Sequence, residues 1–481
     1  MYDLCIIGAG VVGLNIAREL AKYQVTVCVL ERNDDVGCGC SKANSGIVHG
    51  GYSDEPGTLK AELCVRGNQM YEQLERELNF GYRKTGSLVL AFTEEEQAKL
   101  QQLFEYGTAN GVQGLAIISG EQARLKEPYL SEQVKGALYC ANAGVTSPYE
   151  FAVALAENAV QNGVELKLNR EVTKLEQVEG GFRAHTNTGE VVEARYVVNA
   201  AGIYSDTVAR LLGINDYTIT PRRGQYVVLD KDQNYLVRSV IFQVPTKLGK
   251  GILVTATYHG NLMIGPNAEE VDDKEDVGTD EKTLSYIVKT ARRSVPDFNM
   301  KRALRSFAGN RPVSNQKDWV IAESSVRGFI NLVGIDSPGL TSSPAIAVKV
   351  AGLLQSIGMT LAPKSGFEPY RKPVIVKKED GFAGDIHADD PAFRLICRCE
   401  RVTEAEIIDS LHRGIEVRSV GAVGRRTRAG YGSCQGAFCG PRVRELIARE
   451  LQIPVEEVAP RDQAASAAVQ RAKRLELFKM Q

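Results

Sequence analysis

Cys397, Cys399, Cys434 and Cys439 carry the most specific chemistry in this 481-residue chain: they run C-x-C, then 34 residues, then C-x-x-x-x-C. Two close thiolate pairs brought together by folding can ligate a [2Fe–2S] cluster. A tetrahedral zinc site also takes four thiolates, although its usual C-x₂₋₄-C spacing makes C-x-C tight. A disulfide reading is disfavoured in a reducing compartment, and ten cysteines behind no leader segment point to one. Arg398, Arg425, Arg426 and Arg428 are near in sequence. They could donate N–H groups and raise a cluster's potential, or form a solvated basic face.

A second redox-competent motif opens the chain. The apolar run of residues 2–7 (YDLCII) meets Gly8, Gly10 and Gly13 in GAGVVG. The helical pattern LNIARELAKY follows, then the strand VTVCVLE, which ends at Glu31, 18 positions after the last glycine. A dinucleotide needs this arrangement. The first glycine permits the tight turn, the second lets backbone N–H groups approach a pyrophosphate, and the third lets helix pack on strand. The helix N-terminus attracts the phosphates. Glu31 can accept hydrogen bonds from an adenosine ribose, and Arg32 beside it is a further cofactor contact. A GxGxxG alone is weak; both strands, the helix and Glu31 make it specific. A dinucleotide redox group and a cluster on one chain imply one-electron relay to another protein.

Such sites need more than one domain to hold them, since 481 residues exceed one compact core. Residues 1–81, 151–214 and 326–358 read as three parts of one Rossmann-like α/β domain. Within it, 151–172 is a long helix followed by a strand, and YVVNAAG (196–202) is a buried strand ending where backbone passes close to a ligand. Residues 330–354 are a strand, a glycine- and serine-rich turn and a helix. That helix aims its N-terminal partial positive charge at whatever lies above the sheet. Residues 82–150 and 215–325 alternate apolar and polar positions, as in RRGQYVVLD, and read as antiparallel strands of an inserted second domain. Residues 359–390 lack a period and read as a linker, 391–461 hold the cysteine module, and 462–481 form a helical tail.

The 58 basic and 59 acidic residues leave a net charge of −1, which gives no support for binding nucleic acid or a polyanionic surface. No stretch approaches the ~20 apolar residues of a membrane span. The expectation is a cytoplasmic protein, membrane-associated only through a partner, with oligomerisation left open.

NSGIVHGGYSDEPGTLKAELCVRGN (44–68) resembles the flavin-contacting segment of the glycine oxidase/D-amino acid oxidase superfamily. Within it, L-2-hydroxyglutarate oxidases and FAD-dependent glycerol-3-phosphate dehydrogenases are the nearest likenesses. GIDSPGLTSSPAIA is similar to the hydroxyglutarate-oxidase end of the flavin domain. ICRCERVTEAEI (396–407) and VGRRTRAGYGSCQGAFCGPRV (423–443) resemble the [2Fe–2S] module named after bacterioferritin-associated ferredoxin. They look most like the version at the end of the large subunit of anaerobic glycerol-3-phosphate dehydrogenase. The resemblance implies an α/β, D-amino acid oxidase-type FAD domain, an inserted antiparallel-sheet substrate domain and a C-terminal [2Fe–2S] module. It makes FAD and the cluster the cofactors and favours the four cysteines as iron ligands over zinc. It also assigns Ser45, Gly46, Gly202, Gly334, Gly339, Leu340 and Thr341 to the FAD site, with Ser342 and Ser343 shaping the loop beneath it.

Oxidation of a secondary alcohol by flavin needs hydride to leave carbon while a base takes the hydroxyl proton. His49, one of five histidines, sits in the flavin-facing segment and suits that base; packing against the flavin is the alternative. Arg311, in FAGNRP, resembles the superfamily arginine that meets a substrate carboxylate, for which guanidinium offers two parallel N–H donors. Arg305, Arg223 and Lys60 are further anion-binding candidates, and Tyr258 and Tyr226 sit on strands expected in the substrate domain. Cys38 and Cys40 read as loop thiols rather than a redox disulfide. The reading is oxidation of a small anionic secondary alcohol, first of all sn-glycerol 3-phosphate to dihydroxyacetone phosphate. Electrons then leave through the cluster to a partner subunit or carrier. L-2-hydroxyglutarate or another 2-hydroxy acid, an amine, a peroxide-forming oxidase, and an electron-transfer subunit without its own substrate are the alternatives.

Overall fold

The apolar run Tyr2–Ile7 becomes the central strand of a sheet, with Val27–Leu30 parallel on one side and Val191–Asn199 parallel on the other. The computed structural model in which this is seen describes residues 1–245, 251–379 and 381–459, so the helical tail expected at 462–481 lies outside the described residues. Glu165–Lys167 extends the sheet past Val27–Leu30, and Phe329–Val333 pairs parallel with the C-terminal end of Val191–Asn199. Val27–Leu30 and Phe329–Val333 are fully buried, largely Val, Ile and Leu, as strands of a parallel sheet covered on both faces require. Helices Val11–Leu20, Leu59–Leu78, Pro148–Gln161 and Gly339–Ser356 share a core with them. The turns after Ile7, Leu30, Asn199 and Val333 all leave the carboxyl edge of the sheet, where open α/β sheets bind ligands.

A second, nine-stranded sheet draws strands from both 87–140 and 219–314. Its longest pairing runs antiparallel between Ile219–Leu229 and Ala303–Ser314. Val240–Gln243 lies parallel to Ser87–Ala91, where the two stretches of chain meet. Helix Glu281–Arg292 packs Leu284, Ile287 and Val288 onto this sheet. A three-stranded sheet of Ile47–Val48, Gly144–Thr146 and Tyr82–Lys84 lies between the larger ones in sequence.

The segment expected to be a linker is docked over its first half. Gln24 N–H donates to the Ala362 carbonyl at 2.8 Å, Lys364 Nζ donates to the Asn162 carbonyl at 2.7 Å, and buried Arg371 pairs with Glu157 at 2.5 Å. Buried polar groups of helix Pro148–Gln161 need partners, and residues 362–371 supply them. The C-terminal module has its own core of Ile396, Ile407, Val417, Val423, Val443 and Ile447. Thr403 and Glu406 start its first helix, Glu404–Leu411, with a reciprocal capping box. Among the described residues, no helix is long and apolar enough to cross a membrane.

Candidate active site and cluster module

The carboxyl edge of the parallel sheet opens into a cavity of about 1030 Å³. Gly8 and Gly13 shape its floor. Gly8 has φ +107°, and a Cβ on it would lie 2.6 Å from the Ala200 carbonyl oxygen; a Cβ on Gly13 would lie 2.1 Å from the Gly8 oxygen. Glu31 ends the second strand and braces this turn, accepting the Ala9 N–H at 2.8 Å and the Asn33 N–H at 2.9 Å. Burial pushes its carboxyl pKa up, while those N–H donors pull the other way.

Gly8, Gly10, Glu31 and Arg32 line the cavity, as do Ser45, Gly202, Gly339 and Leu340, and His49, Lys60 and Arg311. Gly13, Gly46, Gly334 and Thr341 stand behind the wall as supports. Thr341 Oγ1 accepts the His49 backbone N–H at 2.9 Å and donates to the Ile47 carbonyl at 3.2 Å. It thereby ties the Ile47–His49 segment to helix Gly339–Ser356. Arg32 also reaches Glu275 at 2.7 Å, so part of its charge is committed to the second domain. The volume, the glycine turn, the acid at the strand end and the helix N-terminus fit an FAD.

Three expected substrate contacts are not at the cavity. Arg223 is held by Asp276 at 2.6 Å and Glu269 at 3.0 Å. Arg305 lies on the same strand as Arg311 but pairs opposite Val228, and six residues of strand set it roughly 20 Å away. Tyr258 belongs to the turn after Leu253–Ala256 rather than to a strand, and packs against Gly81 and beneath Arg83.

Arg311 and Arg222 are brought together by strand register. Arg311 Nε donates to the Arg222 carbonyl at 3.2 Å and Nη2 to the Asn267 carbonyl at 2.8 Å. Among the described residues, no carboxylate pairs with it. Arg222 sits directly opposite Arg311 on the neighbouring strand and also lines the cavity, while pairing with Glu270 at 2.8 Å. Lys60 is neutralised by Asp336 at 2.7 Å, and Trp319 Nε1 donates to the same carboxylate at 2.9 Å. The His49 ring stacks on Phe242 with centroids 5.9 Å apart. Tyr226 stacks on Phe307 at 4.6 Å, and burial pushes its phenol pKa up. Cys38 and Cys40 line the wall too; burial pushes both to about 11, which keeps them thiols. Arg222 and Asp336 escaped the sequence reading. Asp336 stands in the quoted GIDSPG phrase, whereas strand pairing alone reveals Arg222.

In the C-terminal module, Cys397 and Cys439 are buried together. The Cys439 hydrogen bond draws the Cys397 thiol down to about 6 against the opposing effect of burial. Cys399 is exposed, 3.6 Å from Ser433 Oγ and so beside Cys434 in the chain. Among the described residues, no group of three or more Cys, His, Asp or Glu is arranged around a single metal ion. A [2Fe–2S] cluster takes four thiolates, and Cys397, Cys399, Cys434 and Cys439 supply that donor set.

The arginines expected around the cluster do other work. Arg425 and Arg426 reach out of the module to Asp35, at 2.7 and 2.8 Å, and all three are buried. Arg428 Nε donates to Glu400 at 2.8 Å and its Nη1 to the Tyr149 hydroxyl at 2.7 Å. Lys231, from the second domain, also meets Glu400 at 2.8 Å. Arg398 lies over the exposed ring of Phe438. Asp35 lies three residues before Cys38 of the cavity wall, so the module is bolted next to the cofactor cavity.

Comparisons with known proteins agree with this arrangement. The family described as FAD dependent oxidoreductase matches residues 3–353, and the BFD-like [2Fe-2S] binding domain matches residues 395–449. The chain is similar to glycerol 3-phosphate dehydrogenase of Caloramator mitchellensis, 46% identical over 95% of this chain and 96% of that one. It is similar to mitochondrial L-2-hydroxyglutarate dehydrogenase of Bos taurus, 30% identical over 74% of this chain and 89% of that one. Among solved structures, dithionite-reduced L-alpha-glycerophosphate oxidase of Mycoplasma pneumoniae with FAD bound superimposes with a TM-score of 0.74 at 32% identity, covering 77% of this chain and 98% of that one. The chain belongs to the FAD dependent oxidoreductase family and carries FAD and a [2Fe–2S] cluster as its cofactors.

Proposed function

We propose that this enzyme oxidises sn-glycerol 3-phosphate to dihydroxyacetone phosphate and passes the electrons through its cluster to a partner subunit or carrier. The observation that carries the substrate is the facing pair Arg222 and Arg311 at the cavity wall. Like charges directly opposite on neighbouring strands are unfavourable, and Glu270 offsets the Arg222 side of this pair only. A phosphate dianion between them relieves that repulsion and matches the guanidinium forks. A 2-hydroxy acid presents a single carboxylate next to its reacting carbon and needs only one arginine there. The similarity to a glycerol 3-phosphate dehydrogenase over 95% of the chain supports the same substrate.

FAD supplies the hydride acceptor and the cluster supplies one-electron carriage; the remaining chemistry falls to side chains of this chain. Arg311 is oriented by backbone carbonyls before substrate arrives, so binding loses little side-chain freedom. His49 takes the hydroxyl proton through its imidazole, whose backbone is set by Thr341 and whose ring is steadied by Phe242. Phe242 and Tyr226 keep water from the reacting carbon. The enzyme acts in the cytoplasm, at a membrane only by way of its redox partner, and assembles with that partner.

The test is anaerobic addition of sn-glycerol 3-phosphate, and separately L-2-hydroxyglutarate, to the holoenzyme while oxidised-flavin absorbance is followed. Bleaching by the phosphate is the expected result. Bleaching by the hydroxy acid alone would move the substrate assignment to that acid.

A further inference from the structure

We infer that the face around Cys399 is the docking surface of an acidic one-electron carrier protein, an inference that rests on the electron relay in the proposed function. Cys399 is the exposed member of the four thiols. Beside it, Phe438 is 39% exposed, with the guanidinium of Arg398 at 4.3 Å and that of Arg442 at 5.8 Å from its ring centroid. Arg401 lies 5.3 Å from the ring of Phe382, which stacks on exposed Phe393.

Among the described residues, the guanidiniums on this face have no carboxylate partner, and the exposed Asp385, Asp389 and Asp390 lie on its Phe393 side. Most other arginines of the module are ion-paired: Arg394 and Arg449 with Glu404, Arg413 with Asp409, Arg425 and Arg426 with Asp35, and Arg428 with Glu400, whereas Arg444 donates to the Val458 and Glu456 carbonyls. Among the described residues, Arg398, Arg401 and Arg442 form no ion pair. Exposed aromatic rings ringed by unpaired cations combine a small apolar centre with a charged rim, the make-up of a short-lived electron-transfer interface. The sign selects the partner. A carboxylate-rich surface is steered in and a basic one repelled. Oxidation of one alcohol to a ketone releases two electrons and two protons. Two one-electron carrier centres are therefore each reduced once per substrate, and both protons, that of the hydroxyl and that carried with the hydride, leave to water.

The test uses the holoenzyme with two probe proteins of opposite charge, acidic plastocyanin and basic mitochondrial cytochrome c, both high-potential one-electron acceptors. Binding is measured with both partners oxidised. Transfer is measured after reduction with dithionite and removal of its excess, so the substrate's identity does not enter. Plastocyanin should bind and be reduced faster than cytochrome c, with a steep decline as salt rises. Arg398→Glu, and separately Arg442→Glu, should each lower plastocyanin binding and transfer ~10-fold. Cluster absorbance should stay as in wild type, and reduction of a small neutral dye, which shares any shift in cluster midpoint potential but not the docking charge, should fall far less than plastocyanin reduction. Indifference of plastocyanin to both substitutions with the cluster intact would overturn the inference and leave the relay standing. Preference for cytochrome c, or binding of anionic-lipid vesicles through these arginines in place of plastocyanin, would also overturn it. Undiminished one-electron transfer in Cys434→Ser would instead remove the relay itself.

Discussion

Arg311 and Lys60 bring the same charge into one cavity and are committed differently. Asp336 neutralises Lys60, whereas Arg311 is held by carbonyls that orient it without cancelling its charge. Arg311→Lys keeps the charge and loses the fork, so KM for the phosphate substrate should rise ~10- to 100-fold with a smaller fall in kcat. Steady-state kinetics across substrate concentration separate the two. His49→Ala keeps the backbone N–H and carbonyl bonds of this position and should retain FAD. Its kcat should fall ~10²- to 10³-fold, as loss of a general base predicts; unchanged turnover would return His49 to a packing role. Cys397 gives a third prediction. Its folded-state pKa of about 6 lies below the ordinary thiol value of 9.0, so the stabilisation is complete above the ordinary value and is lost as pH falls through 6. In cluster-free protein, the ultraviolet thiolate absorbance of wild type minus Cys397→Ser should titrate near that lower value. At this scale the motif residues were legible because turns and ligand loops are written in consecutive positions. Arg222 was not, because only the antiparallel register places it against Arg311, and Tyr258 was misplaced because its phrase, TYHG, makes a turn.

Among the elements, the contact that matters most joins Asp35, in the loop after Val27–Leu30, to helix Val420–Thr427 of the module. Burial pushes the Asp35 carboxyl up, but Arg426 and Arg425 outweigh it and hold the group well below the usual carboxylate range. A folded pKa depressed in this way contributes stability above the ordinary carboxylate value and loses it as pH falls towards the folded value. The clamp therefore stays closed through mild acid and opens only in strong acid. Asp35→Asn leaves two buried guanidiniums without their counter-charge, a loss of ~3–5 kcal/mol. Limited proteolysis between 374 and 395 should become faster, and flavin-to-cluster transfer slower, while substrate still bleaches the flavin. The sequence placed Arg425 and Arg426 near the cluster because they are neighbours of its ligands along the chain. Helix geometry turns them away from the thiols and into the next domain. The docked course of residues 362–371 was likewise hidden, because the buried partners that capture it lie more than 200 positions upstream. The βαβ unit, by contrast, was legible, since its strands are continuous apolar runs with glycines at the only turn they allow.

For the whole molecule, three bodies converge on one junction. Tyr149 of the flavin domain, Asn261 of the substrate domain and Glu400 of the module all meet the buried Arg428 side chain. The module is therefore part of a fixed assembly, next to the loop that lines the cofactor cavity. In the proposed relay, substrate would sit at Arg311 and His49, FAD would fill the cavity, the four cysteines would hold the cluster, and electrons would leave at Cys399. Loss of a cluster ligand should separate its halves. Cys434→Ser should keep flavin bleaching by substrate at its wild-type rate and lose most one-electron transfer to a protein acceptor. The most direct test of the account is an anaerobic rapid-mixing experiment in which the oxidised holoenzyme meets one equivalent of sn-glycerol 3-phosphate. Flavin absorbance and the paramagnetic signal of the reduced cluster are read from the same samples. The account predicts that the flavin bleaches first and the cluster signal follows within the same turnover. A flavin left oxidised by this substrate, or a bleached flavin beside a cluster that stays oxidised, would contradict it.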